Sequence, residues 1–216
     1  MVARAMKIVG LVFSARKEGN GFNFMKHCLE RFEKKGFKTK LVNAFDFDIK
    51  PCSHCNYECY SEEIRDTHEN CPVNDDVPKV FELTRDADGL LIAAPCYGGH
   101  TPAIYKAWTE RVPHLPELNQ LVKRDFAKFQ ELFLSKIKGF IIIGNLTAMG
   151  DMTLHEVLVD FYNIEPPDVL LIQSREYSAG ALKGNLIEVP AVRERLDGFV
   201  ELLAKTLQKC TGRYTF

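Results

Sequence analysis

Short strand-like runs alternate with segments of helical spacing along this chain of 216 residues. The runs cover residues 8–13, 38–42, 89–94, 137–144 and 169–172. All but the second are strongly apolar and rich in Val, Ile and Leu, which is typical of strands buried on both faces. Strands that alternate with helices predict an open parallel sheet covered by helices on both sides. Right-handed crossover connections then favour the strand order 2-1-3-4-5.

The segments between these runs predict helices over residues 22–35, 75–85, 103–112, 154–162 and 189–207. Residues 114–134 are more polar and interrupted, and we expect them to be partly helical. The length favours a single domain over residues 1–216. Within it we expect a cysteine-rich loop at residues 51–73 and an irregular segment at residues 113–136 that is long enough to cover a partner subunit.

Composition narrows the class of protein further. The formal net charge of −1 argues against nucleic-acid binding through bulk electrostatics. No apolar run approaches the roughly 18–20 residues that span a bilayer. The first apolar run continues directly into charged residues, which indicates a first strand rather than a signal peptide. We therefore expect a cytoplasmic protein without a membrane partner, whose seven cysteines are reduced or bound to metal.

The loop after the first strand, SARKEGNG at residues 14–21, is a candidate phosphate site. It leads into a helix whose first N–H groups have no partner within the helix and lie at the positive end of its dipole. Ser14 and Asn20 add side-chain donors, and Arg16 adds positive charge. The stretch lacks both the G-x-x-x-x-G-K-[ST] and the G-x-G-x-x-G motifs. An ordinary strand-to-helix turn is the alternative, because such turns also favour Gly, Ser and Asn.

Two further polar loops follow the third and fourth predicted strands. They are PCYGGHTP at residues 95–102 and NLTAMGDM at residues 145–152. In the order 2-1-3-4-5 these loops and the first one meet at the carboxyl edge of the sheet, beside the point where the strand order reverses. Ligands of such sheets bind at this point, so the three loops together predict one ligand site.

Four cysteines, Cys52, Cys55, Cys59 and Cys71, lie in a loop without regular periodicity. Thiolate is a soft ligand, so their clustering suggests a metal centre. Three closely spaced cysteines with a more distant fourth are typical of a [4Fe–4S] cluster. A zinc site is possible, although zinc usually draws on two Cys-x-x-Cys pairs and only Cys52 and Cys55 form one. Free or redox-active thiols are the third alternative.

These motifs in combination resemble the flavodoxin-like NAD(P)H-dependent FMN reductases, and among them the iron–sulfur flavoproteins. The resemblance runs from Met6 to about Ile172. It is carried by SARKEGNG, by PCSHC with the later cysteines, by NDDV, by ADGLLIAAPCYGGHTPAIYKAWTERV and more loosely by GNLTAMGDMTL. It implies a flavodoxin-like sandwich that binds FMN, with the cysteine loop holding a cluster.

The resemblance also implies roles for individual residues. The FMN phosphate would contact Ser14, Arg16, Asn20, Gly21 and Phe22. The isoalloxazine ring would lie against Pro95, Cys96, Tyr97, Gly98 and Gly99. Its other edge would face Asn145, Leu146, Thr147, Met149, Gly150 and Asp151. The metal ligands would be Cys52, Cys55, Cys59 and Cys71.

The chain departs from the family pattern in two places. Gly21 stands where the family often has a hydroxyl residue, so one phosphate donor is lost. The iron–sulfur flavoproteins carry a compact C-x2-C-x2-C with the fourth cysteine a few residues on, whereas here both later gaps are longer. Either Cys71 or His68 could therefore complete the ligand set.

The sequence predicts a flavin-dependent oxidoreductase that passes electrons between FMN and a [4Fe–4S] cluster, and no catalytic side chain is identified. The resemblance implies NAD(P)H or a small ferredoxin-like protein as electron donor, and a homodimer or homotetramer. A first alternative is an NAD(P)H-dependent FMN or quinone reductase without a cluster, its cysteines structural or zinc-bound. A second is a redox-sensing module of the same fold, in which thiol oxidation changes assembly.

Overall fold

A five-stranded parallel sheet organises the computed structural model, which describes residues 4–53, 71–114, 126–145, 147–161 and 165–210. The strands are β1 Lys7–Val12, β2 Lys38–Asn43, β3 Gly89–Pro95, β4 Ile137–Gly144 and β5 Asp168–Gln173. Their order is β2-β1-β3-β4-β5, and every neighbouring pair is parallel. This confirms the predicted order and the flavodoxin-like fold.

Helices connect the strands and cover both faces of the sheet. In the described ranges they are α1 Asn20–Lys34, α2 Val77–Arg85, α3 Ala103–Arg111, α4 Phe126–Leu132, α5 Thr147–Leu158 and α6 Pro190–Cys210. The short α4 falls within the segment expected to be partly helical, and residues 115–125 of that segment lie outside the described ranges. None of the helices in the described part of the chain combines the length and apolar character needed to cross a bilayer.

The prediction of a polar loop from the end of β4 as far as Met152 is wrong. Helix α5 begins at Thr147, so most of the segment is helical. Glycine usually favours a loop, but Gly150 lies within the helix because a larger residue would not fit there. A Cβ atom at Gly150 would lie 1.8 Å from Nε2 of the fully buried Gln173 on β5. The glycine therefore allows α5 to approach the sheet closely.

Two hydrophobic cores lie on opposite faces of the sheet. One is rich in aromatic side chains: the ring of Phe13, just after β1, contacts Tyr105 edge-to-face at 5.1 Å and Trp108 at 5.4 Å. The other core packs the apolar stripes of α1 and α6 against the sheet, including Phe24 and Phe199. Burial on both faces explains why the central strands read as continuous apolar runs.

Gly139 marks the tightest contact between α6 and β4. A Cβ atom there would lie 2.6 Å from Cζ of Phe199 and 3.0 Å from Cδ1 of Leu203. Both side chains are buried in the core and cannot turn away into solvent. The spacing between helix and strand thus depends on the missing side chain.

Gly139→Ala is therefore expected to destabilise the fold by about 1–3 kcal/mol through overpacking. Gly198→Ala is the matched control, because Gly198 lies on the exposed side of α6 with no atom within 4 Å of its added Cβ. We expect that change to stabilise the protein by up to about 1 kcal/mol, since Ala is the better helix former. Urea unfolding of both variants measures the difference, and equal midpoints would contradict this account of the packing.

Candidate functional site

The carboxyl ends of β1, β3 and β4 lie side by side and open into one cleft. Val12 pairs with Ala93, and Pro95 pairs with Ile143, so the segments that follow these strands leave the same edge. The cleft has a volume of about 160 Å³. Its lining residues are Ser14, Arg16, Asn20, Gly21, Pro95, Cys96, Tyr97, Ile143, Gly144, Asn145, Ala181 and Leu182. Eight of these are among the predicted cofactor residues.

One end of the cleft is formed by Ser14 and the start of α1. Ser14 is only 2% exposed, and no hydrogen bond joins its Oγ to the described part of the chain. Along α1, the first N–H group with a backbone acceptor is that of Asn23, which donates to Gly19 O at 3.0 Å. The preceding N–H groups of Asn20, Gly21 and Phe22 make no hydrogen bond within the described ranges. Unpartnered N–H groups at a helix start favour an anion.

Arg16 and Asn20 line the cleft and also make hydrogen bonds to a segment that follows β5. Arg16 Nη1 donates to the carbonyl of Leu182 at 2.5 Å. Asn20 Nδ2 donates to the carbonyl of Ala181 at 2.9 Å, and its Oδ1 accepts from Leu186 N at 3.0 Å. Both side chains thus hold the segment after β5 against the first loop. Sequence analysis missed this segment, whose Gly-containing stretch SAGALKGN was the only available signal.

Gly184 lets this segment, residues 181–186, pack directly on the first loop. Its φ of +73° lies in the left-handed region, and an added Cβ would lie 2.1 Å from the Glu18 carbonyl oxygen. Asn23 Nδ2 joins the same two backbones by donating to Glu18 O at 3.1 Å and to Gly184 O at 2.8 Å. A side chain at Gly184 would force the two segments apart, because the opposing atom belongs to the backbone.

A tight hairpin after β3 forms the wall of the cleft. Tyr97 and His100 exchange backbone hydrogen bonds of 2.9 and 3.1 Å across Gly98 and Gly99. Both glycines have positive φ, +63° and +91°, which a two-residue turn of this kind requires. The side chain of Tyr97 is 46% exposed at the mouth of the cleft.

The start of α5 supports this hairpin. The Cys96 thiol donates to the Met149 carbonyl at 3.2 Å, and Met152 packs on Gly99. Glu156 accepts from both the N–H and the Oγ1 of Thr101, at 2.7 and 3.0 Å. Through these contacts the helix positions the hairpin.

The remaining predicted cofactor residues do not line the cleft. They are Phe22, Gly98, Gly99, Met149, Gly150 and Asp151. Leu146 and the side chain of Thr147 lie outside the described residues. Asn145 does line the cleft, and its Oδ1 accepts a hydrogen bond from Ser174 Oγ at 2.7 Å.

The cysteine loop follows β2, whose last residue, Asn43, pairs with the end of β1. Cys52 and Cys71 are described, and both are partly exposed. Cys55, Cys59 and His68 lie outside the described residues, so the structure describes two of the four predicted ligands. Within the described ranges, no three His, Cys, Asp or Glu side chains are grouped as metal ligands.

A buried ion pair lies at the base of this loop and has no signature in the sequence. Arg111 and Asp75 form two hydrogen bonds, of 2.7 and 3.1 Å, and their side chains are 2% and 0% exposed. Burial by itself would lower the pKa of Arg111, but the hydrogen bond to Asp75 and the neighbouring Cys71 sulfur outweigh it and raise that pKa. The guanidinium therefore stays charged beside a candidate ligand.

A second cavity, of about 210 Å³, lies on the aromatic side of the sheet between α3 and residues 129–137. Its lining is mainly apolar and includes Trp108, Phe129 and Phe133. It lies away from the strand ends where polar groups converge, so the cleft at the carboxyl edge is the candidate functional site.

Known proteins share this combination of fold and motifs. The profile of the NADPH-dependent FMN reductase family matches residues 6–159. An iron-sulfur flavoprotein of Methanosarcina thermophila is 33% identical over 156 residues, which cover 68% of this chain and 78% of the relative. An iron-sulfur flavoprotein of Archaeoglobus fulgidus is 27% identical over 213 residues, or 95% of this chain and 99% of the relative.

Solved structures agree with the fold. RosB with bound 8-demethyl-8-formylriboflavin-5′-phosphate aligns with a TM-score of 0.66 at 20% identity, covering 95% of this chain and 81% of RosB. The NADH:FMN oxidoreductase EMOB, in its apo form, aligns with a TM-score of 0.56 at 14% identity, covering 94% and 90%. The chain therefore belongs to the NADPH-dependent FMN reductase family, in its iron–sulfur flavoprotein branch, and is a flavin-dependent oxidoreductase.

Proposed function

We propose that the chain binds FMN in the cleft at the carboxyl edge of the sheet and a [4Fe–4S] cluster in the cysteine loop, and that it passes electrons between them. The observation that carries this proposal is the cleft itself. It combines the hydroxyl of Ser14 and three free N–H groups at one end with a glycine hairpin at the other. A phosphate would accept hydrogen bonds from the donors at the first end, and a flat ring would lie along the hairpin at the second.

The residues of the cleft fit FMN. The phosphate would be bound by Ser14 Oγ, by the N–H groups of Asn20, Gly21 and Phe22 and by the positive charge of Arg16, while the Arg16 and Asn20 side chains also hold residues 181–186 against the loop. Pro95, Cys96 and Tyr97 would border the ring, and Gly98 and Gly99 would shape the hairpin. When bound, FMN supplies the two-electron and one-electron chemistry, and the protein supplies its position and surroundings.

The described part of the cysteine loop also fits a metal centre. Cys52 and Cys71 lie on the two neighbouring segments that lead into and out of the loop, and the charged Arg111 guanidinium lies near Cys71. We propose that Cys52, Cys55, Cys59 and Cys71 are the ligands. When bound, a [4Fe–4S] cluster supplies one-electron transfer, at a potential set by charge and by hydrogen bonds to its sulfurs.

Further parts of the proposal follow from the family. We propose NAD(P)H or a small ferredoxin-like protein as the electron donor, a homodimer or homotetramer as the assembly, and the cytoplasm as the compartment. We also propose that the chain acts as a single domain over residues 1–216, and that Asn145 to Asp151 face the other edge of the ring.

Anaerobically purified protein is expected to contain about one FMN and about four iron and four sulfide ions per chain. Cys52→Ala and Cys71→Ala should lose most iron and sulfide but keep FMN, since neither residue lines the cleft. Cys28→Ala is the control. Cys28 is fully buried on α1, and burial raises the pKa of its thiol, so it is no ligand. Absorption spectra with iron, sulfide and flavin quantitation give the measurement.

Other outcomes of these measurements separate the alternatives. Zinc in place of iron and sulfide would contradict the cluster and favour a reductase with structural cysteines. FMN without any metal, together with NAD(P)H turnover, would do the same. Absence of both flavin and metal, with a change of assembly on thiol oxidation, would favour a redox-sensing module.

Gly184→Ala is expected to weaken FMN binding at least about tenfold, which corresponds to roughly 1.4 kcal/mol. The positive φ and the contact with the Glu18 carbonyl oxygen would displace residues 181–186 from the phosphate loop. Gly180→Ala is the matched control in the same segment, because its φ is ordinary and no atom lies within 4 Å of the added Cβ. Quenching of FMN fluorescence on titration gives both affinities, and equal values would count against the proposed position of the phosphate.

A further inference from the structure

The base of the cysteine loop is closed by a network around Arg111. Besides its two bonds to Asp75, Arg111 donates to the carbonyls of Lys50 at 3.2 Å and Val73 at 3.4 Å. One carboxylate oxygen of Asp75 also accepts from Lys50 N at 3.0 Å. One buried side-chain pair thus binds the backbone on both sides of the loop.

Neighbouring contacts hold the same two segments together. Asp76 N donates to Asp48 O at 2.7 Å, and Asp48 N donates to Asp76 Oδ2 at 3.0 Å. Lys50 Nζ reaches the Asn74 carbonyl at 2.8 Å. These contacts are exposed to water, whereas the Arg111–Asp75 pair is buried. Water therefore competes least for the hydrogen bonds of this pair.

The two described cysteines stand next to the held residues. Cys52 is two residues beyond Lys50, and Cys71 is two residues before Val73. A chain of two residues spans at most about 7 Å, so each cysteine stays close to Arg111. The guanidinium lies near the Cys71 sulfur, which helps to raise its pKa, but the described structure has no hydrogen bond between the two groups. Its Nε–H is buried and has no acceptor in the described part of the chain, which leaves one more donor on this side.

We propose that Arg111 is a positioning residue for the metal centre: with Asp75 it fixes both ends of the cysteine loop, and its buried Nε–H, which has no acceptor in the described part of the chain, is available to the Cys71 ligand of a bound centre. The role in positioning a metal centre rests on the proposed function. The role in holding the two ends of the loop together does not, because those contacts involve the chain alone. A planar guanidinium is needed because four acceptors must be reached from one buried group, which a lysine ammonium on a flexible stem cannot do.

Helix α3 connects the hairpin of the cleft to Arg111. The hairpin that borders the flavin cleft leads into α3, and Arg111 is the last residue of that helix. The helix axis between Ala103 and Arg111 measures about 12 Å. One rigid element therefore sets the spacing between the hairpin and the base of the cysteine loop, and Arg111 is the point where the loop is attached to it.

The test uses Arg111→Met combined with Asp75→Asn. Removing Arg111 alone would leave a buried unpaired carboxylate and could unfold the protein, whereas the neutral pair avoids that charge. Lys50 N and Val77 N donate to different oxygens of Asp75, so the Asn side chain keeps an acceptor for one of them. The matched control is Arg85→Met with Glu82→Gln, which removes an exposed ion pair in the last turn of α2.

Hydrogen exchange of metal-free protein gives the first readout. We expect residues 48–53 and 71–77 to exchange at least about tenfold faster in the Arg111→Met, Asp75→Asn variant, while exchange in the sheet stays unchanged. Tenfold corresponds to a local opening whose free energy is lower by about 1.4 kcal/mol. The control variant should exchange like the wild type. Unchanged exchange at these residues would overturn the proposal, whether or not the wild type holds iron.

The second readout uses the cluster. The double variant should retain less than half of the iron and sulfide per FMN of the wild type. Arg111→Lys keeps the positive charge but loses the planar guanidinium with its several N–H donors. We therefore expect this variant to retain part of the iron, with a more negative midpoint potential of the cluster and an altered EPR spectrum of the reduced protein. Wild-type iron content, potential and spectrum in both variants would overturn the proposal. Wild-type protein without iron would instead refute the proposed function, and hydrogen exchange would still decide whether Arg111 closes the loop.

Discussion

The parallel pairing of β1, β3 and β4 is the constraint on which the site depends. Parallel strands must each be followed by a crossover, so the three chain segments that leave their carboxyl ends emerge side by side. The last backbone bonds between these segments are those of Phe13 N to Ala93 O and Cys96 N to Ile143 O, one residue beyond the strand ends. The N–H groups of the first turn of α1 have no partners within the helix. The cleft therefore offers hydrogen-bond donors before any side chain is considered, and the side chains only select what is bound.

Some polar side chains of this cleft have no partner in the described chain, and others hold neighbouring backbone segments in place. Ser14 is buried, faces the cleft and has no partner in the described ranges. Arg16 and Asn20 lie beside it but donate to the backbone of residues 181–182. Backbone carbonyls compete well for such donors because a buried carbonyl without a partner is costly. Residue type alone does not distinguish these two roles.

Long-range contacts connect the parts of the site. Glu156 on α5 holds Thr101 at the start of α3, and Arg111 at the end of α3 holds the base of the cysteine loop. Stability alone does not account for the buried Arg111–Asp75 pair, since an apolar pair of similar volume is often as stable. Its geometric specificity, four acceptors bound from one group, is what a hydrophobic pair could not reproduce.

Hydrophobic periodicity was sufficient for the strands, their order and most helices, because burial on both faces leaves continuous apolar runs that can be read locally. The helical start of α5, the packing of residues 181–186 on the phosphate loop and the Arg111–Asp75 pair were not predictable in this way. Each depends on atoms far apart in the chain, such as Gly150 against Gln173 or Gly184 against Glu18. Local patterns record which face of an element is buried, but only the packed fold brings such distant groups into contact.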